Sequence, residues 1–226
     1  MSAPGLKKRA NLLLLDIGNS RVALSSWVNG GPRTPGEHIP AEPIGPVAEA
    51  VARAWKELPD DHPRAVLVSS VCPPVFSRLT SELEAQGIDP VLLVGRDIDY
   101  PITADVKYPD RVGSDRLCAA AGAFAKIKQA CIVADFGTAL TVDLVADNGV
   151  FLGGTILPGM ALSARALHEH TALLPLVEVG ATTEVLGKDT ESAIRNGIFA
   201  MMAGALREIS ERYATEIGKW PALVVT

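Results

Sequence analysis

Leu12-Leu13-Leu14-Leu15-Asp16-Ile17-Gly18-Asn19-Ser20 and Cys131-Ile132-Val133-Ala134-Asp135-Phe136-Gly137-Thr138-Ala139 read alike. Each is an apolar run that ends in Asp-x-Gly and a small polar residue. Each is followed by a second strand-like run, Arg21 to Trp27 in one case and Leu140 to Ala146 in the other. An apolar run, a Gly-containing turn and another apolar run form a β-hairpin signal, with the Asp at the strand tip. Finding the pattern twice predicts a duplicated molecule with two similar halves facing one another.

Working outward from these hairpins, helical spacing of Val47, Val51 and Trp55 predicts a helix over Ile44–Leu58, its start marked by Gly45 and Pro46. A strand is expected over Ala65–Val71, a helix over Val75–Gln86 stopped by Gly87, and a short strand over Val91–Val94. Arg116–Lys128 is Ala-rich and helical, Phe151–Ile156 a strand, and Pro158-Gly159 a turn. Met160–Glu169 and Thr190–Gly218 read as helices and Ala222–Val225 as a last strand, while Gly30–Pro46 reads as a surface loop or irregular hairpin. Alternating strands and helices give an α/β class. The expected domains are 1–125 and 126–226, with no low-complexity linker between them and a cleft where they pack.

Composition narrows the function. The chain has 226 residues, 48% of them hydrophobic, ample for a packed core. Aromatics make up only 5%, too few for a base-stacking surface. With 26 acidic against 21 basic residues and no long basic run, nucleic-acid and anionic-membrane binding are not expected. No apolar stretch reaches the ~20 residues of a membrane span. Lys7-Lys8-Arg9 precedes only four leucines before Asp16, too short for a signal peptide's apolar region. Three widely spaced cysteines, Cys72, Cys118 and Cys131, predict reduced thiols in a cytoplasmic protein, not a disulfide framework.

Phosphate chemistry remains open, because backbone N–H groups and a metal ion hold phosphate without net positive charge. Gly18 lets a phosphate approach the backbone, Asn19 and Ser20 supply short donors, and Asp16 can hold Mg²⁺ directly or through water. The alternative is ordinary Asp-x-Gly turn chemistry. The second copy offers Thr138 to a phosphate and Asp135 to a cation, with Asp143 on the strand surface or supporting the site. Gly113-Ser114-Asp115-Arg116 precedes a helix, so Asp115 is either a cap or a carboxylate that accepts a hydroxyl proton, with Arg116 gripping an anion. Gly153-Gly154 is either a tight turn or a floor for a sugar or base. His168-Glu169-His170 lacks the spacing of a zinc helix.

Asp16-x-Gly18-Asn19-Ser20, Gly113-x-Asp115-Arg116, Asp135-x-Gly137-Thr138-Ala139-x-Thr141-x-Asp143, Gly153-Gly154-x-Ile156-x-Pro158-Gly159 and Thr171-Ala172-x-Leu174-Pro175 occur in this order. In this the chain resembles the type III pantothenate kinases over nearly its whole length. The resemblance implies two ribonuclease-H-like (actin-like ATPase) domains with mixed sheets around a central cleft. It also implies ATP-dependent phosphorylation of pantothenate to 4'-phosphopantothenate, the first step of coenzyme A biosynthesis, in a cytoplasmic homodimer.

By the same resemblance, Asp16, Ile17, Gly18, Asn19, Ser20, Arg21, Val22 and Ala23 form the first ATP-phosphate loop, and Thr138 is a second ATP contact. Asp115 is the general base. Tyr108, Gly113, Ser114, Asp115 and Arg116 border pantothenate, and Thr190 closes the pocket from the neighbouring subunit. Asp135 binds a monovalent cation, K⁺ or NH₄⁺, and Asp16 sits toward the Mg²⁺ that accompanies ATP. The stretch from Tyr108 to Gly113 is shorter than the family's usual spacing, and the family pattern continues past the last strand with a Thr-Gly-Gly turn and a helix. A catalytically inactive relative serving as a transcriptional accessory factor is the rival reading.

Overall fold

The computed structural model describes residues 10–181 and 185–226. Two compact units emerge, Met1–Pro101 with Arg111–Cys118, and Ile102–Asp110 with Ala119–Thr226. The expected boundary after residue 125 differs from this division, which cuts a continuous helix at Cys118/Ala119 and moves the preceding loop into the second unit.

In the first unit the four leucines open strand β1 (Asn11–Ile17), where Leu13, Leu15 and Ile17 face the core and Asp16 faces solvent. This is the period-two alternation of a half-buried strand. β1 pairs antiparallel with β2 (Arg21–Val28) and parallel with β4 (Arg64–Ser70). β3 (Glu37–Pro40) and β5 (Val91–Leu93) complete a five-stranded sheet of order β3-β2-β1-β4-β5. Helix α1 (Ile44–Glu57) buries Val47, Ala48 and Val51, and helix α2 (Pro73–Ala85) buries Val75, Leu79 and Leu83 against the same core. Each fully buried Val or Leu contributes about 1.5–3 kcal/mol relative to exposure. Pro73 and Pro74 start α2, where their missing N–H groups cost little. Gly87, at φ +71°, ends it.

The second unit repeats the plan. β7 (Cys131–Phe136) and β8 (Ala139–Val145) form the second hairpin, β9 (Val150–Pro158) extends it, and β10 (Ala222–Val225) runs parallel to β7. β6 (Thr103–Ala104) adds an edge, giving the order β10-β7-β8-β9-β6. The β9-β8-β7-β10 stretch has the order and directions of β3-β2-β1-β4, the ribonuclease-H-like arrangement anticipated from the paired sequences. Helices α4 (Met160–Glu169) and α5 (Thr190–Ile217) pack on this sheet, and α3 (Ser114–Ile127) begins in the first unit. α5 is fixed at its start by a capping box, in which Asp189 accepts from the Ser192 N–H and the Ser192 hydroxyl accepts from the Asp189 N–H. It stops at Gly218 in the left-handed region.

Within Gly30–Pro46, β3 pairs antiparallel with β2 through Glu37–Pro40, the hairpin of the two readings expected there. One expectation needs correction. Asp143 does not lie on the strand surface but is 2% exposed inside the second sheet.

Candidate active site

The first hairpin closes tightly. The Gly18 N–H donates to the Arg21 carbonyl at 3.0 Å, and a Cβ on Gly18 would stand 3.2 Å from that same oxygen. Asn19, Ser20 and Arg21 are exposed at the tip, whereas Ile17 and Val22 are completely buried and Ala23 is half-buried. The buried pair therefore anchors the loop, and only backbone groups of those residues are available to a ligand. In the second hairpin the Gly137 N–H donates to Ala139 at 3.1 Å. Asp135 precedes its glycine by two residues, as Asp16 does, and is half-buried, with Thr138 exposed at the tip. The Gly159 N–H buttresses this turn through the Thr138 carbonyl at 3.0 Å.

Sheet register brings several predicted residues together in the first unit. Asp16 stands opposite Ser69 on β4, and Ile17 opposite Ser70. The first turn of α3 docks there, with the Ser69 and Ser114 hydroxyls 3.1 Å apart and Ser114 donating to the Ser70 carbonyl at 3.0 Å. Asp115 follows directly and is half-buried. Its Oδ1 accepts the Arg116 N–H at 2.8 Å, so the carboxylate meets one of the helix's first-turn donors.

Gly113 explains the spacing of its motif. A Cβ there would collide with Asp115 Oδ1, whereas its next neighbour, Val71 Cγ1, lies at an acceptable 3.5 Å. The missing side chain is the space into which the carboxylate folds.

Asp16 and Asp115 act on a common neighbour. Burial pushes the Cys118 thiol up from its ordinary pKa, and the negative charges of Asp16 and Asp115 push the same way, against a hydrogen bond with Ser69. Tyr100 is likewise raised by burial first, with Cys118 and Asp115 contributing and Ser114 acting against them. Ser69, Ser70 and Tyr100 were not singled out from the sequence, and Cys118 was read only as a reduced thiol. Paired serines closing an apolar strand, as Asp16 closes β1, were the available signal.

Other predicted residues belong to the second unit. Tyr108 belongs to the second unit, is 52% exposed, and has the Lys107 ammonium 5.1 Å from its ring centroid. Thr190 is exposed at the start of α5. Gly153 and Gly154 form neither a turn nor a strand end; they sit inside β9, opposite Leu144 and Asp143. Gly153 has φ +102°, and a Cβ on Gly154 would strike the Asp143 carboxylate and backbone. His168 Nδ1 hydrogen-bonds the Leu174 carbonyl at 2.8 Å.

Among the described residues, no three His, Cys, Asp or Glu side chains gather into a metal-holding group. Single carboxylates such as Asp16 and Asp135 suit hard cations that draw most of their ligands from phosphate, carbonyl and water oxygens. Each of the two carboxylates is thus suited to a cation that arrives with oxygen ligands of its own.

Two ribonuclease-H-like units, each with an Asp-x-Gly hairpin, define the actin-like ATPase class of folds. A crystal structure from Campylobacter jejuni assigned to the Baf family of transcriptional activators shares the fold, with a TM-score of 0.53 and 20% identity, covering 87% of this chain and 78% of that one. The type III pantothenate kinase profile matches residues 12–212, and the chain belongs to that family of enzymes. A type III pantothenate kinase of Dehalococcoides mccartyi is 32% identical over 95% of this chain and 85% of its own length. One from Anaeromyxobacter is 39% identical over 72% of this chain, a match that spans 64% of the relative, just under two thirds.

Proposed function

We propose that the chain transfers the γ-phosphoryl group of ATP to the terminal hydroxyl of pantothenate, with Asp115 as the general base. The observation that carries this reading is the seating of Asp115 over Gly113, at the end of the first unit where Asp16 closes β1. Phosphoryl transfer asks mainly for alignment and for charge neutralisation.

In this reading Oδ1 of Asp115 is held by the Arg116 N–H, and Oδ2 takes the hydroxyl proton as the oxygen attacks phosphorus. The Arg116 guanidinium, with Gly113 and Ser114 beside it, orients the pantothenate carboxylate. The Gly18–Arg21 turn offers its N–H groups and the Asn19 and Ser20 side chains to the ATP phosphates, and Thr138 supplies a further donor. Asp16 holds Mg²⁺ directly or through water, and Asp135 holds K⁺ or NH₄⁺. These cations supply positive charge that a net-acidic chain lacks. Tyr108 borders pantothenate, and Thr190 closes the pocket of a neighbouring subunit in a homodimer. Such an enzyme works in the cytoplasm.

The test is ADP release by the folded chain with ATP and Mg²⁺, with and without pantothenate, in K⁺ and in Na⁺. ADP formation that requires pantothenate and is faster in K⁺ supports the reading. ADP formation indifferent to pantothenate, or absent, refutes it in favour of the transcriptional accessory role.

A further inference from the structure

We propose that Ser69 is a positioning residue for Asp115, acting through Ser114 as a hydroxyl latch that fixes the first turn of α3 to the end of β4. The catalytic meaning of the latch rests on Asp115 being the base.

Hydroxyl accounting sets the directions. A serine hydroxyl has one proton and two lone pairs. Ser114 spends its proton on the Ser70 carbonyl at 3.0 Å. The Ser69 hydroxyl, 3.1 Å away, must therefore donate to Ser114. Ser69 and Ser114 are 8% and 7% exposed, so water competes little for these bonds.

Ser114 is thereby tied to two adjacent strand residues, Ser69 and Ser70, whose register partners on β1 are Asp16 and Ile17. Apolar packing fixes distance but tolerates rotation, whereas two directional hydrogen bonds at Ser114 fix the rotation of α3's first turn. The Asp115 carboxylate projects from that turn, so its aim depends on the latch.

Ser69→Ala removes the oxygen bonded to Ser114, and Ser69→Thr keeps it. A misplacement of 1 Å costs about 10²-fold in rate, and a slackened helix end moves a carboxylate by less. Ser69→Ala is expected to lower kcat by roughly 3–30-fold, with KM for ATP within about twofold and Tm within a few degrees of the parent. Ser69→Thr, which retains the hydroxyl, is expected to keep kcat within about threefold of the parent.

Unchanged kcat in Ser69→Ala overturns the latch. So does a loss in which kcat and Tm fall, KM rises and Ser69→Thr fares no better, since that is general destabilisation. Hydrogen exchange reads the latch apart from turnover. The Leu117 and Cys118 amides should exchange at least about tenfold faster in Ser69→Ala, with the later turns of α3 unaffected. Equal exchange refutes the latch whether or not the chain turns over. A parent chain that forms no ADP with pantothenate refutes instead the assignment of Asp115 as a base.

Discussion

Gly113→Ala separates the seating of Asp115 from the stability of the fold, because the two should move in opposite directions. The new methyl would lie well inside 3.0 Å of Asp115 Oδ1, a separation that real Cβ atoms essentially never show. The carboxylate is the far end of a rotatable side chain, so it yields by about 0.5–1 Å and loosens the 2.8 Å bond from the Arg116 N–H. Val71 Cγ1, at 3.5 Å, is ordinary van der Waals contact, and Gly113 is not among the glycines with positive φ. Alanine therefore fits the backbone and restricts the unfolded chain, a gain of about 0.4–1 kcal/mol. Melting temperature should hold or rise by a few degrees, as ~1 kcal/mol is worth about 2–4 °C in a chain of this size. Turnover should fall roughly 10–100-fold, the cost of displacing a reacting group by up to 1 Å. Thermal melts and pantothenate-dependent ADP release on the same sample test both halves. Turnover within twofold of the parent would refute the idea that the missing Cβ exists to seat the carboxylate.

Gly159→Ala should behave differently, since its Cβ would lie 2.5 Å from the Thr138 carbonyl oxygen and closer still to that of Gly137, both rigid backbone. Overpacking there should cost about 1–3 kcal/mol, seen as a lower Tm, and should raise KM for ATP by shifting the second hairpin's turn. At the start of α5, Asp189→Ala should lower Tm by removing the cap from Ser192. The Asp189 carboxyl lies below its ordinary pKa because the Ser192 N–H and hydroxyl bond its charged form. A depressed folded value stabilises above the unfolded pKa of about 3.9 and is lost as pH falls through the folded value. The Tm gap between parent and variant should therefore be open at pH 6 and narrow toward pH 3. A gap that widens in acid contradicts the cap.

The hairpins were legible because their apolar runs are long and punctuated by Asp-x-Gly, and α4 and β10 were legible to the residue. β3 was not, because only Ile39 among Glu37–Pro40 is apolar and buried and the strand ends on a proline, so no alternation stands out. β6 has two residues and exists only through its partner β9. The division of α3 between units carries no local mark, since an Ala-rich helix runs through it without a break.

At the site, the Gly-x-Asp spacing was visible at once, but the reason for the glycine required the carboxylate's position. Ser69 lies 45 residues from Ser114, and no periodicity joins residues that meet only when β4 and α3 pack. Gly154 misled for a related reason. Its role is to clear room for Asp143 from the neighbouring strand, a contact set by register and not by sequence spacing.

The most direct test of the account compares Asp115→Asn with the parent in a single round of phosphoryl transfer to pantothenate at saturating ATP. Asn keeps the size of the side chain and an oxygen for the Arg116 N–H, but it cannot accept the hydroxyl proton. The account predicts transfer slower by roughly 10²–10⁴-fold, with ATP affinity and Tm close to those of the parent. Transfer within a few-fold of the parent rate would contradict it and leave Asp115 as no more than a partner for the first turn of α3.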